Sequence, residues 1–199
     1  PWIVAVMGMF ALFLSNGMTA TGITIFDPPL LDEFQWPRGD FKFRDFLNFL
    51  VTAMISPFVG ILIDRLNPRH LLMTGCGFLM LGYFGYSQLQ NGGSPLILQV
   101  IAAVTALGLG GVVVVALSVL APSLARNAAI GIAVLLGAVG FYLYSQYWAN
   151  EALKQVYVIH LLFSLALSTS GSMTVIYLVS SWFVKHRGLA IGIALVGTS

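Results

Sequence analysis

The sequence is short of charge. Only 8% of its 199 residues are Asp, Glu, Lys or Arg, 58% are apolar, and mean hydropathy is +0.92. Soluble domains carry about 25% charged residues, because a closed globule needs a wet surface. A water-soluble globule is thereby excluded, and lipid is the natural solvent for the outside of this chain. Cysteine is nearly lacking too. Cys76 stands alone among Gly75, Gly77 and Phe78, which excludes an intrachain disulfide or a thiolate metal cluster and leaves a small buried packing residue. A net charge of +2 on scattered basic residues gives nucleic acid nothing to bind. No phosphate-binding loop, zinc-ligand spacing or nucleophile elbow occurs, so neither an enzyme, a metal nor a cofactor is expected.

What the sequence has instead is long apolar runs. A helix needs about 20 apolar residues to cross the hydrocarbon core. Six stretches qualify, at 2–26, 45–63, 71–89, 95–122, 128–148 and 155–184, and a seventh begins near Gly188 and is cut at Ser199. The expected fold is all-α, a polytopic transmembrane bundle of six spans plus a truncated seventh, in one incomplete domain over 1–199. The stretch 2–26 has no basic leader, so it reads as a span and not a cleaved signal. The chain starts at Pro1 rather than Met, so a trimmed amino end is expected.

Loop charges suggest an orientation. With the amino end cytoplasmic, inside loops hold Arg65, Arg69, Arg126, Lys185 and Arg187 against Asp64. Outside loops hold Arg38, Lys42, Arg44 and Lys154 against Asp27, Asp32, Glu33, Asp40, Asp45 and Glu151. Lys and Arg favour cytoplasmic loops during insertion. Trp2, Trp36, Tyr147, Trp148 and Trp182 fall at expected water boundaries, where amphipathic rings settle. The expectation is an integral protein of a plasma or inner membrane, surrounded by lipid.

The most specific stretch is Gly60-Ile-Leu-Ile-Asp64-Arg65-Leu-Asn67-Pro68-Arg69-His70, in a tight turn between the second and third spans. Gly60 would let two helices approach closely. Asp64 sits at a helix carboxyl end, the wrong end of the dipole, and calls for a cation from Arg65, Arg69 or a neighbouring loop. Asn67 suits a left-handed turn. Upstream stand Pro28-Pro29-Leu-Leu-Asp-Glu-Phe-Gln-Trp36-Pro-Arg-Gly39 and Ser56-Pro57-Phe-Val-Gly60. Downstream stands Ser181-Trp-Phe-Val-Lys-His-Arg187-Gly188-Leu-Ala190. Together these resemble the major facilitator superfamily, and within it the branch of oxalate/formate antiporters and monocarboxylate transporters. The resemblance covers about 15–75 and 180–199. It implies that Gly60, Asp64, Arg65 and Arg69 form a conformational latch, with Arg187 and Gly188 in a second inside loop. It also implies two halves, so that a carboxyl-terminal half is missing here.

One feature departs from that pattern. The Arg-Gly loop normally follows a fourth helix, and here it follows the sixth. Tyr86-Ser-Gln88 recurs as Tyr144-Ser-Gln146, and Ala129-Ile-Gly-Ile-Ala133 as Ala190-Ile-Gly-Ile-Ala194. An inserted or duplicated hairpin within about 69–126 or 126–180 is one reading. The other takes 126–184 as an ordinary fifth and sixth helix.

Polar residues within the spans recur at helical spacing and so share faces. Ser15, Asn16, Thr19 and Gly22 lie on the first helix; Asp45, Asn48, Thr52 and Ser56 on the second; His160, Ser164, Ser168, Thr169 and Ser172 on the last complete one. Asn16, Thr19, Asn48, Thr52, His160, Ser164 and Ser168 are candidates for a transport path. Ser, Thr and Gly also serve close helix packing in lipid, so both readings stand. His160 suits a proton relay, or simply sits near an interface. No Lys or Arg is expected deep in a helix. The expected function is secondary transport of a small solute such as an organic or monocarboxylate anion, with a coupling proton or counter-anion. The alternative is a non-transporting helical membrane protein.

Overall fold

The computed structural model describes residues 2–90, 92–93, 95–121, 126–149 and 151–198; Pro1 and Ser199 lie outside them. The described residues are helical almost throughout, with no strand. Helix α1 (Trp2–Asn16) passes through a π turn (Gly17–Thr21) and a 3₁₀ turn (Gly22–Phe26) into α2 (Asp27–Phe34). Next come α3 (Arg38–Arg65), α4 (Pro68–Tyr86) and α5 (Leu96–Leu120). Helix α6 (Arg126–Leu143) ends in a π turn, and α7 (Ala152–Ser170), α8 (Ser172–Trp182) and α9 (Arg187–Leu195) complete the order.

Among the described residues five helical stretches are long and apolar enough to cross a membrane: 2–34, 38–65, 96–120, 126–148 and 152–182. The span expected at 71–89 is α4, whose 19 residues reach about 28 Å; it opens on Arg69 and His70 and is not among the five. The first span runs eight residues further than expected, to Phe34, because the π and 3₁₀ turns carry it onward into α2. The long central helix expected at 155–184 is broken at Gly171, whose extended ψ of −170° ends α7 and starts α8.

The core forms around α7. In the α7–α8 span 72% of the most apolar window is buried, against 17% in α6 with its π turn. Helix α7 packs on α3, α4 and α5, and α8 on α1, α4 and α9, whereas α6 packs almost wholly on α5. Missing side chains allow the closest approach. A Cβ on Gly82 would strike the Phe163 ring, one on Gly75 would lie 2.5 Å from Ser170 Cβ, and one on Gly108 2.6 Å from Leu165 Cδ1. In lipid, where apolar burial drives little, such packing holds helices together. Gly110 and Gly137 set α6 against α5 in the same way, facing the carbonyls of Ala133 and Ala106. Gly111, Gly140, Gly188 and Gly192 face open space, so they are not contact glycines. Cys76 is half-buried, not buried.

Candidate functional site

The bundle has two ends with different charge chemistry. At one end Asp27, which opens α2, meets α3. Arg44 lies six residues into α3 and is fully buried, its side chain 0% exposed. Its Nη2 donates to Asp27 Oδ1, its Nε donates to Asp45 Oδ1 at 3.2 Å, and its Nη1 donates to the Tyr86 hydroxyl at 3.3 Å. The guanidinium stacks 3.8 Å from the Phe41 ring centre. Lys42 Nζ donates to the same carboxylates, at 2.6 Å to Asp27 and 3.2 Å to Asp45. Two cations thus face two carboxylates, and charges withdrawn from water are tolerable when paired in this way.

This corrects the loop reading of Arg44. Helix α3 starts at Arg38, earlier than its apolar run, because Pro37 ends the extended link and the polar first turns still hydrogen-bond as helix. Arg44 is therefore a helix residue, buried at one end of the bundle. Partner count was the available signal: Asp27, Lys42 and Asp45 surround Arg44 in sequence.

His160 comes to the same place from α7. It is fully buried between helices. Its Nδ1 lies 3.1 Å from the Tyr86 hydroxyl and 3.0 Å from the Val156 carbonyl, and its Nε2 3.9 Å from Asp45 Oδ1. A carbonyl only accepts, so the Val156 contact places the ring proton on Nδ1. One turn further, Ser164 Oγ lies 2.9 Å from Asn48 Oδ1. The structure thus brings His160 and Ser164 against the Asp45–Asn48 face. Ser168 donates back to the Ser164 carbonyl at 2.7 Å, and the Thr52 hydroxyl is buried without a partner among the described residues.

Among the described residues no hydrogen bond joins Asn16 or Thr19 to this seam. Asn16 Nδ2 donates to the Leu12 carbonyl at 3.4 Å and Thr19 Oγ1 to the Ser15 carbonyl at 2.6 Å. Ser15 reaches α7 instead at its end, donating to the Ser170 carbonyl at 3.4 Å.

At the other end, Gly60, Asp64, Arg65 and Arg69 lie on α3, its closing turn and the start of α4. A Cβ at Gly60 would meet nothing within 4 Å, so no close approach explains this glycine. Asp64, Arg65 and Arg69 are exposed. Among the described residues no ion pair reaches Asp64, so the cation expected beside it is not found there. Asn67 is not left-handed. Its φ of −68° and ψ of 124° are extended, and its Oδ1 accepts from the Arg69 amide at 3.1 Å. It is the N-cap of α4, with Pro68 preset at the first helical position. The Arg69 guanidinium lies 5.7 Å from the Trp182 ring centre, joining this turn to the end of α8. Four residues on, His186 takes a left-handed φ of 61°, and Arg187 and Gly188 open α9. The two basic turns therefore share one end of the bundle.

Among the described residues no group of His, Cys, Asp or Glu is arranged to hold a metal ion. No curated protein and no solved structure matches the chain significantly. The Major Facilitator Superfamily matches residues 5–132, from α1 into α6. With membrane-length helices in one bundle and that match over more than half of its length, the chain belongs to the major facilitator superfamily.

Proposed function

We propose that the chain is part of a secondary transporter that moves a small organic or monocarboxylate anion by alternating access, with a coupling proton or counter-anion. The observation that carries transport is the superfamily match across α1 to α6. The anion is supported by the sequence around the two turns, which resembles carboxylate transporters. The exposed Asp64, Arg65 and Arg69, together with Arg187 and Gly188, are proposed to pair with a facing half when this end closes. That would account for charges with no ion-pair partner among the described residues. The buried seam of His160, Ser164, Asn48, Thr52 and Ser168 is proposed as part of the route by which a coupling proton enters, since these groups are packed against one another. Asn16 and Thr19 are proposed to face the solute from α1. The amino end is proposed to be cytoplasmic. Counterflow in proteoliposomes, screened over small carboxylates with the full-length protein, tests the reading. Absence of counterflow for every anion, with uptake of a neutral solute, would remove the anion and keep the transporter.

In place of the hairpin expected within about 69–126 or 126–180, the α5–α6 pair, which straddles both ranges, is proposed to be the added one, with α7–α8 as the helix that completes the set with α1, α3 and α4. Its support is the burial of α7 and the peripheral place of α6. Excising the hairpin should leave a monodisperse membrane protein; aggregation of the excised protein beside a stable parent would count against an insertion.

A further inference from the structure

The Arg44 end carries a covering segment with its own hinge and fastenings. The hinge is Gly17–Phe26. There the first span leaves α geometry twice, through the π turn and then the 3₁₀ turn. Breaks of this kind inside a span mark places where a helix yields. Side chains repair the ladder locally: the Thr19 hydroxyl donates to the Ser15 carbonyl at 2.6 Å, and the Thr24 hydroxyl to the Thr21 carbonyl at 2.6 Å. The Tyr83 hydroxyl donates to the Met18 carbonyl, anchoring the near side of the hinge to α4.

Beyond the hinge, α2 packs chiefly on the 3₁₀ turn before it. It owes its place over α3 to two fastenings. One is Asp27, held by Lys42 and Arg44. The other is aromatic: Phe34 stacks on Trp36 with ring centres 4.5 Å apart, and Trp36 on Phe41 at 5.5 Å. Phe41 in turn carries the Arg44 guanidinium on its face. Gln35 makes this return possible by taking a left-handed φ of 53° between α2 and Trp36. The stack and the ion pairs converge on Arg44, and both fastenings are specific contacts rather than broad apolar packing.

We propose that α2 is a lid over the Arg44 end of the bundle, hinged at Gly17–Phe26 and fastened by Asp27 on Arg44 and Lys42. Arg44 is the anchor, kept in place by Asp45 and Tyr86 when the lid lifts. The lid gates solute access at this end, and that consequence alone rests on the transport reading.

The test uses the full chain with Cys76→Ser and spin labels at the exposed Glu33→Cys on α2 and the half-buried Lys154→Cys at the start of α7, read by pulsed electron resonance. Asp27→Asn removes the charge from the fastening while Arg44 keeps Asp45. Weakening the two charge-assisted pairs of Asp27, to Arg44 and Lys42, should enrich the open population roughly tenfold, as a second, displaced distance peak. Trp36→Ala should enrich the same peak, and it supplies the reading if Asp27→Asn does not fold. A distance distribution unchanged from the parent in a folded variant overturns the lid. A lid that opens in protein showing no counterflow of any solute overturns the transport reading and leaves the lid standing.

Discussion

The two ends of the bundle hold similar residues under opposite conditions. At the Arg44 end two cations and two carboxylates pair with one another, and among them the guanidinium is wholly buried and stacked on an aromatic ring. At the Asp64 end an acid and two arginines are exposed, and Arg69 lies over the Trp182 ring. Burial decides what each set does. Charges inside a low-dielectric bundle hold only as a matched group, so the Arg44 set fixes geometry within the chain. Charges left at the surface cost little unpaired and stay available to a partner that arrives later.

The largest effect that sharpens this contrast is at Arg44. Arg44→Gln leaves Asp27 with Lys42 alone and takes the guanidinium from Asp45. Removing one member of a buried pair costs about 3–5 kcal/mol, so the thermal midpoint in detergent should fall steeply. Asp64→Asn should leave the midpoint where it is. Equal midpoints for the two variants would erase the distinction between the ends.

The next effect concerns glycines. Gly82 and Gly60 are both helix glycines near an end of a span, yet a Cβ on Gly82 runs into Phe163 while one on Gly60 meets nothing. Gly82→Ala forces α4 and α7 apart, an overpacking cost of about 1–3 kcal/mol. Gly60→Ala should stabilise α3 by about 0.5–1 kcal/mol, because alanine gives up less backbone freedom than glycine. If Gly60→Ala nevertheless lowers transport in a more stable protein, the residue acts in a conformation other than this one. A drop in its midpoint would instead mean that Gly60 packs against something in the assembled protein.

Much of this was legible in the residues. Apolar runs long enough to span lipid appear as helices, and the Gly60–His70 pattern points to the superfamily that the match over 5–132 shows. Spacing also placed Asn48 and Ser164 on faces that the fold brings together. Arg44 was read as loop although carboxylates stand near it in sequence, because apolar runs define only the part of α3 that meets lipid, and a polar first turn looks like loop. The lid was missed for a related reason. The first apolar run ends at residue 26, whereas Pro28 and Pro29 sit in the first turn of α2, where a missing amide costs nothing. Gly60 was over-read, since small size permits contact without requiring a neighbour.

The smallest effect tests how the turn at the exposed end is built. Asn67 in a left-handed turn and Asn67 as an N-cap predict opposite responses to glycine. A left-handed site gains from Asn67→Gly, since glycine enters that region without steric cost. A cap loses its side-chain acceptor for the Arg69 amide, but glycine is a tolerated cap, so Asn67→Gly should cost only a few tenths of a kcal/mol, and Asn67→Ala about 1 kcal/mol. Asn67→Asp should hold parental stability, because its carboxylate accepts the same bond and favours the helix N-terminus. The rank order expected is therefore Asn and Asp together, then Gly, then Ala. Finding Gly above Asn would restore the left-handed turn and detach Arg69 from its present place beside Trp182, since the cap is what starts α4 where it does.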